Sequence, residues 1–68
     1  MYKEIEMIIF LKNLSKSKIA LQLGITYNTF LLKLKGKNKF SLDEAVKLKE
    51  ILQTQKTVEE LFLTDSAA

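Results

Sequence analysis

Chemistry in this chain has to come from lysine. Its 68 residues carry 11 basic side chains, all of them Lys, and no His, Cys or Arg. An ammonium group holds a phosphate as a point charge, but it lacks the planar fork that Arg offers to guanine. The placement of the lysines is uneven. No Asp or Glu occurs from Met7 to Leu42, and that stretch holds Lys12, Lys16, Lys18, Lys33, Lys35, Lys37 and Lys39. The acids sit at the two ends: Glu4 and Glu6, then Asp43, Glu44, Glu50, Glu59, Glu60 and Asp65. A formal net charge of +3 therefore understates a one-sided basic segment. Such a segment is the footprint of a surface for a polyanion. A solvated helical face is the plainer alternative, and the length of the acid-free run weighs against it.

Catalysis has little to work with. Without His or Cys there is no ready general base near neutral pH and no thiolate nucleophile. No Gly-rich phosphate loop is present, and the carboxylates fall on the outer faces of expected helices. No enzyme activity, no cofactor and no metal site is expected, and no disulfide can form. The length permits one domain, near the lower edge of independent stability. A hydrophobic fraction of 47% supplies a core. The longest apolar run, Met7 to Leu11, is far short of a membrane span. Met1-Tyr2-Lys3-Glu4 lacks the layout of a secretory signal. A soluble, cytoplasmic module is expected.

The elements that must position these lysines read as helices. No Pro interrupts the chain and apolar spacing favours a helical period. The first helix is expected from about Tyr2 to Asn13, with Tyr2, Ile5, Ile8 and Ile9 on one face. Met7, Phe10 and Leu11 lie on nearly the opposite face, as further core or as an exposed apolar patch. A second helix starts at a Ser15 cap and runs to Leu23, with Ile19, Ala20 and Leu23 inward. Gly24 suits a left-handed turn position. A third helix follows a Thr26 cap and ends near Lys35, with Phe30 and Leu34 inward, Tyr27 at the margin and Gly36 as its stop. Ser41-Leu42-Asp43-Glu44 forms a capping box for the fourth, whose inner face is Ala45, Leu48, Ile51 and Leu52, with Phe40 stapled onto Ala45. Thr57-Val58-Glu59-Glu60 repeats the box for a short last helix through Leu63. The expected fold class is all-α, with five short helices. Residues 1–63 form the domain, and 64–68 form a frayed tail.

One constellation stands out. Ala20 is small where the next helix must cross closely, Gly24 makes the turn, Ile25 plugs the gap and Phe30 anchors the following helix. This spacing, at about residues 15–35, is a helix-turn-helix pattern. Together with Lys33-Leu34-Lys35-Gly36-Lys37 leading to Phe40-Ser41-Leu42-Asp43-Glu44-Ala45, it resembles the Cro/repressor family of phage helix-turn-helix regulators over roughly residues 3–63. The resemblance implies a lambda-repressor-like domain on double-stranded operator DNA in a bacterial host cell, with a homodimer as one option. It places the second motif helix in the major groove. Carried over by position, Tyr27, Asn28, Leu31 and Leu32 face the groove, flanked by Thr26 and Thr29. Lys35, Lys37 and Lys39 touch phosphates, as do Lys16 and Lys18. Asn28 is suited to adenine through its amide, or is an ordinary polar residue near a helix start.

The chain departs from that family at Leu31 and Leu32, where polar or basic side chains are usual. Both are expected to point away from Phe30 and Leu34. A leucine can touch a thymine methyl but cannot hydrogen-bond a base edge. With Leu21 and with Met7, Phe10 and Leu11 they are candidates for a protein interface. Two functions follow. One is an operator-binding regulator of a lysogenic/lytic switch. The other is an antirepressor or modulator of repression, which docks its apolar second motif helix on the cognate phage repressor and occludes that protein's DNA-reading surface.

Overall fold

The computed structural model describes residues 2–62, which are all-helical as expected. The helices are α1 (Lys3–Leu11), α2 (Lys16–Leu23), α3 (Tyr27–Leu34), α4 (Leu42–Leu52) and α5 (Val58–Leu61). Leu63 and the tail from Thr64 to Ala68 lie outside the described residues.

Local chemistry sets the boundaries. Each of α2 to α5 begins at a hydroxyl cap that accepts a backbone N–H three residues on: Ser15 from Lys18, Thr26 from Thr29, Ser41 from Glu44 and Thr57 from Glu60. The last two are complete capping boxes, because the Glu44 and Glu60 carboxylates accept the N–H of Ser41 and Thr57 in return. α1 has no side-chain cap, and it is shorter than its apolar pattern, ending at Leu11 rather than Asn13. Asn13 leaves the helix at φ 55°, a left-handed conformation that Asn tolerates. α5 closes at Leu61, two residues before the expected end, with Phe62 as its cap.

The buried core is the one the periodicity indicated on the first four helices, except that Ile8 and Ile51 are only partly buried, and Leu61 of α5, which the periodicity did not single out, joins it. Ile5 and Ile9 of α1, Ile19, Ala20 and Leu23 of α2, Phe30 and Leu34 of α3, Leu48 and Leu52 of α4 and Leu61 of α5 form one cluster. Ile8 and Ile51 pack at its edge. An aromatic group closes the bottom: the Phe62 ring lies edge-on 5.1 Å from Phe40 and 5.2 Å from Tyr2, and Phe40 in turn 6.3 Å from Phe30. This group joins the start of α1, the turn after α3 and the end of α5. No described side-chain nitrogen or oxygen is buried without a partner.

Lys12 performs a task that no local pattern indicates. Its ammonium donates to the carbonyl oxygens of Leu52 (2.7 Å) and Gln53 (2.9 Å), at the end of α4. Those carbonyls have no intrahelical partner and carry the negative end of the helix dipole. The chain there turns through Gln53 at φ 51°, a conformation that favours glycine. Gln53→Gly is expected to stabilise the fold by up to about 1 kcal/mol, because it removes the Cβ strain and keeps the carbonyl that Lys12 uses. A thermal melt showing a midpoint lowered by this change would contradict that reading.

Candidate functional site

The α2–turn–α3 unit is built from three small devices. Gly24 sits at φ 76°, and its N–H returns to Leu21 while that of Ile25 returns to Ala20. A Cβ added at Gly24 would meet nothing within 4 Å, so the requirement is for backbone conformation and not for space. Ala20 is buried at the crossing, Ile25 packs on the core, and Phe30 fixes α3 from beneath. At the far end of α3, Gly36 at φ 83° turns the chain so that the N–H of Lys37 reaches the Leu32 carbonyl. This winds the Lys35–Lys39 segment back onto the end of the helix.

The outer face of α3 is now defined. Asn28, Leu32 and Lys35, spaced by four and three residues, share one face and are exposed. Tyr27 is 48% exposed beside them. Leu31 differs from expectation and is half-buried. It lies only about 60° around the helix from Leu34, so it reaches the margin of the core, whereas Leu32 points away. Leu32 itself is 38% exposed. Thr26 and Thr29 spend their hydroxyls locally: the Thr26 hydroxyl donates to that of Thr29 at 2.8 Å and accepts the Thr29 N–H. They shape the start of the helix.

The seven lysines of the acid-free segment divide into two groups. Lys12 is on the α4 carbonyls, Lys16 pairs with Glu6 at 2.9 Å, and Lys33 pairs with Glu44. Lys18, Lys35, Lys37 and Lys39 are exposed and form no ion pair among the described residues. Lys35, Lys37 and Lys39 also lie near the C-terminal, negative end of α3, which is favourable for cations in its own right. The pairings of Lys12, Lys16 and Lys33 were not legible locally, because each partner is distant in sequence.

The Lys33–Glu44 pair fixes α3 to the start of α4. The Lys33 ammonium also lies 5.8 Å from the centre of the Phe40 ring. The Lys33 hydrogen bond, followed by that from the Ser41 N–H, holds the Glu44 carboxyl below its ordinary value of 4.5. A depressed carboxylate stabilises the fold above its unfolded pKa, and the contribution is lost as the pH falls through the folded value. Glu44→Gln is therefore expected to cost on the order of 1 kcal/mol at neutral pH and to flatten the loss of stability below pH 4.5. Identical acid-unfolding curves for the two proteins would contradict the assignment.

The apolar candidates on α1 and α2 are exposed: Met7 54%, Phe10 81%, Leu11 71% and Leu21 79%. Met7, Phe10 and Leu11 are thus a surface patch and not further core. Phe10 and Tyr27 line an open cleft of about 540 Å³, together with Asn13, Lys16 and Ser17. This cleft joins the end of α1 to the starts of α2 and α3. Among the described residues, no helix is long and apolar enough to cross a membrane. A scan against protein-family models, a search of curated proteins and a search of solved structures each found no match to this chain.

Proposed function

We propose that this chain is a phage-type helix-turn-helix transcriptional regulator of a genetic switch, which binds operator DNA with α3 in the major groove. One observation carries the reading. Asn28, Leu32 and Lys35 form an exposed face on a helix whose other side is fixed by Phe30 and Leu34, Lys37 and Lys39 follow that helix and Lys18 lies on α2, and these lysines are exposed and form no ion pair among the described residues. Asn28 can donate to and accept from an adenine edge, Leu32 can meet a thymine methyl, and the lysines can hold phosphates. The resemblance to the Cro/repressor family supplies the phage context.

A second reading draws on Leu32. An apolar side chain at the centre of the exposed face, with Asn28 and Lys35 at its rim, also suits docking on a repressor's own DNA-reading helix. In that reading the chain is an antirepressor.

Fluorescence anisotropy on labelled duplex DNA over a range of salt separates the two. The operator reading predicts a linear fall of log affinity with log salt, with a slope of roughly −3 to −4 for four lysine–phosphate contacts. Absence of binding at low salt would contradict it. The antirepressor reading predicts instead that Leu32→Asp, in a chain that still folds, abolishes release of the cognate repressor from its operator.

A further inference from the structure

We infer that the segment Leu63-Thr64-Asp65 straps the apolar groove between the start of α4 and α5, with Leu63 seated in the groove and the Asp65 carboxylate on the Lys39 ammonium. The segment lies outside the described residues, and the groove lies within them. The groove has a volume of about 450 Å³, and its apolar walls are Tyr2, Phe40, Leu42, Val58 and Phe62. Leu42 is 75% exposed and the other four are half-buried. The aromatic group that closes the core on its inner side thus leaves apolar surface open to water on its outer side.

Continuity, residue type and charge identify the occupant. Phe62, the cap of α5, is itself a wall of the groove, so the chain leaves the described part from the groove's own edge. The next side chain is Leu63, which is apolar like the walls. Lys39 is the one charged side chain among the described residues that line the groove, and it is exposed and forms no ion pair among them. Asp65 is the one charged side chain from residue 63 to residue 68. Three residues span at most about 10 Å, so Asp65 stays close to Phe62 and to the groove that Lys39 lines. Asp43 is the rival partner for Lys39, but it lies in the first turn of α4, where the helix N-terminus already favours its charge. The strap occupies one of the lysines assigned above to phosphate. That consequence rests on the operator reading, whereas the contact itself does not.

The test uses the full chain without DNA. Nuclear Overhauser contacts should join the Leu63 methyls to the Leu42 methyls and the Tyr2 ring, and dilution should not weaken them. A carbodiimide, which condenses a touching carboxylate and amine to an amide, should link Asp65 to Lys39. Leu63→Ser should lower the melting midpoint by roughly 4–8 °C without changing the helical spectrum. Leu63 methyls without such contacts overturn the proposal, as do contacts that fade on dilution, since a second copy then fills the groove. A link from Lys39 to Asp43 in place of Asp65 overturns it as well. With DNA added, Asp65→Asn should raise affinity at low salt roughly two- to fivefold, the effect of freeing one exposed ion pair. If the parent chain binds no DNA, the operator reading fails while the contacts of Leu63 still stand.

Discussion

Phe30→Ala is expected to leave the chain unfolded at room temperature. Phe30 is fully buried, and it is the point at which α3 is fixed to the rest of the core. Its ring also meets Phe40 edge-on, so its removal loosens the aromatic group that closes the bottom of the domain. Truncating a buried Phe costs about 3–5 kcal/mol, through lost transfer energy and the cavity left behind. In a domain of this size, with no Cys to form a disulfide, the core rarely supplies more than about 3–5 kcal/mol. The two figures meet, so the variant should show a spectrum without helical signal and no cooperative melt. Leu32→Asp, on the opposite side of the same helix, should keep both. A Phe30→Ala protein that melts cooperatively near the parent's midpoint would mean that α3 is held by something other than its inward face.

On the operator reading proposed above, replacing Lys35, Lys37 and Lys39 together by Gln should have the largest effect on DNA binding. All three are exposed and unpaired among the described residues, so their loss breaks no ion pair there. Each phosphate contact contributes about 0.9 to the salt slope, so the variant's slope should be shallower by nearly three, with affinity at low salt reduced roughly 10- to 100-fold. The loss should be uniform across sequences, because phosphate contacts carry no base information. Asn28→Ala should behave differently. It should leave the salt slope intact and relax preference at one base pair by about 1–3 kcal/mol. Equal loss on every duplex for Asn28→Ala would remove Asn28 from base reading. An unchanged salt slope for the triple variant would remove these lysines from the phosphate contacts.

What was legible in the sequence was local. Hydroxyl caps at Ser15, Thr26, Ser41 and Thr57 act within one turn, and the inward residues of the first four helices follow largely from period, so helices and most of the core could be read directly, whereas α5 is too short for a period to single out Leu61. The helix ends were less secure, because Asn13 and Phe62 stop α1 and α5 through backbone turns that apolar spacing does not register. The functional surface was only partly legible. A count of lysines treats all seven in the acid-free segment alike, yet Lys12, Lys16 and Lys33 each reach a partner brought close only by folding. Lys12 is the clearest case, since its acceptors are backbone carbonyls about forty residues away and leave no mark in the charge pattern. Leu31 shows the limit of a helical wheel: a residue at the edge of the stripe is exposed or half-buried according to how deeply its helix sits. The patch of Met7, Phe10 and Leu11 stayed ambiguous for the same reason, until packing placed Ile5 and Ile9 inside.

The most direct test of DNA reading by α3 is selection from a randomised duplex pool near physiological salt, with sequencing of the bound fraction for the parent chain and for Asn28→Ala. The operator reading predicts a common half-site with the parent, containing an A·T pair whose enrichment disappears with Asn28→Ala while the rest of the motif persists. A bound fraction with no shared motif, retained only at low salt, would contradict it and leave the lysines as a source of nonspecific attraction.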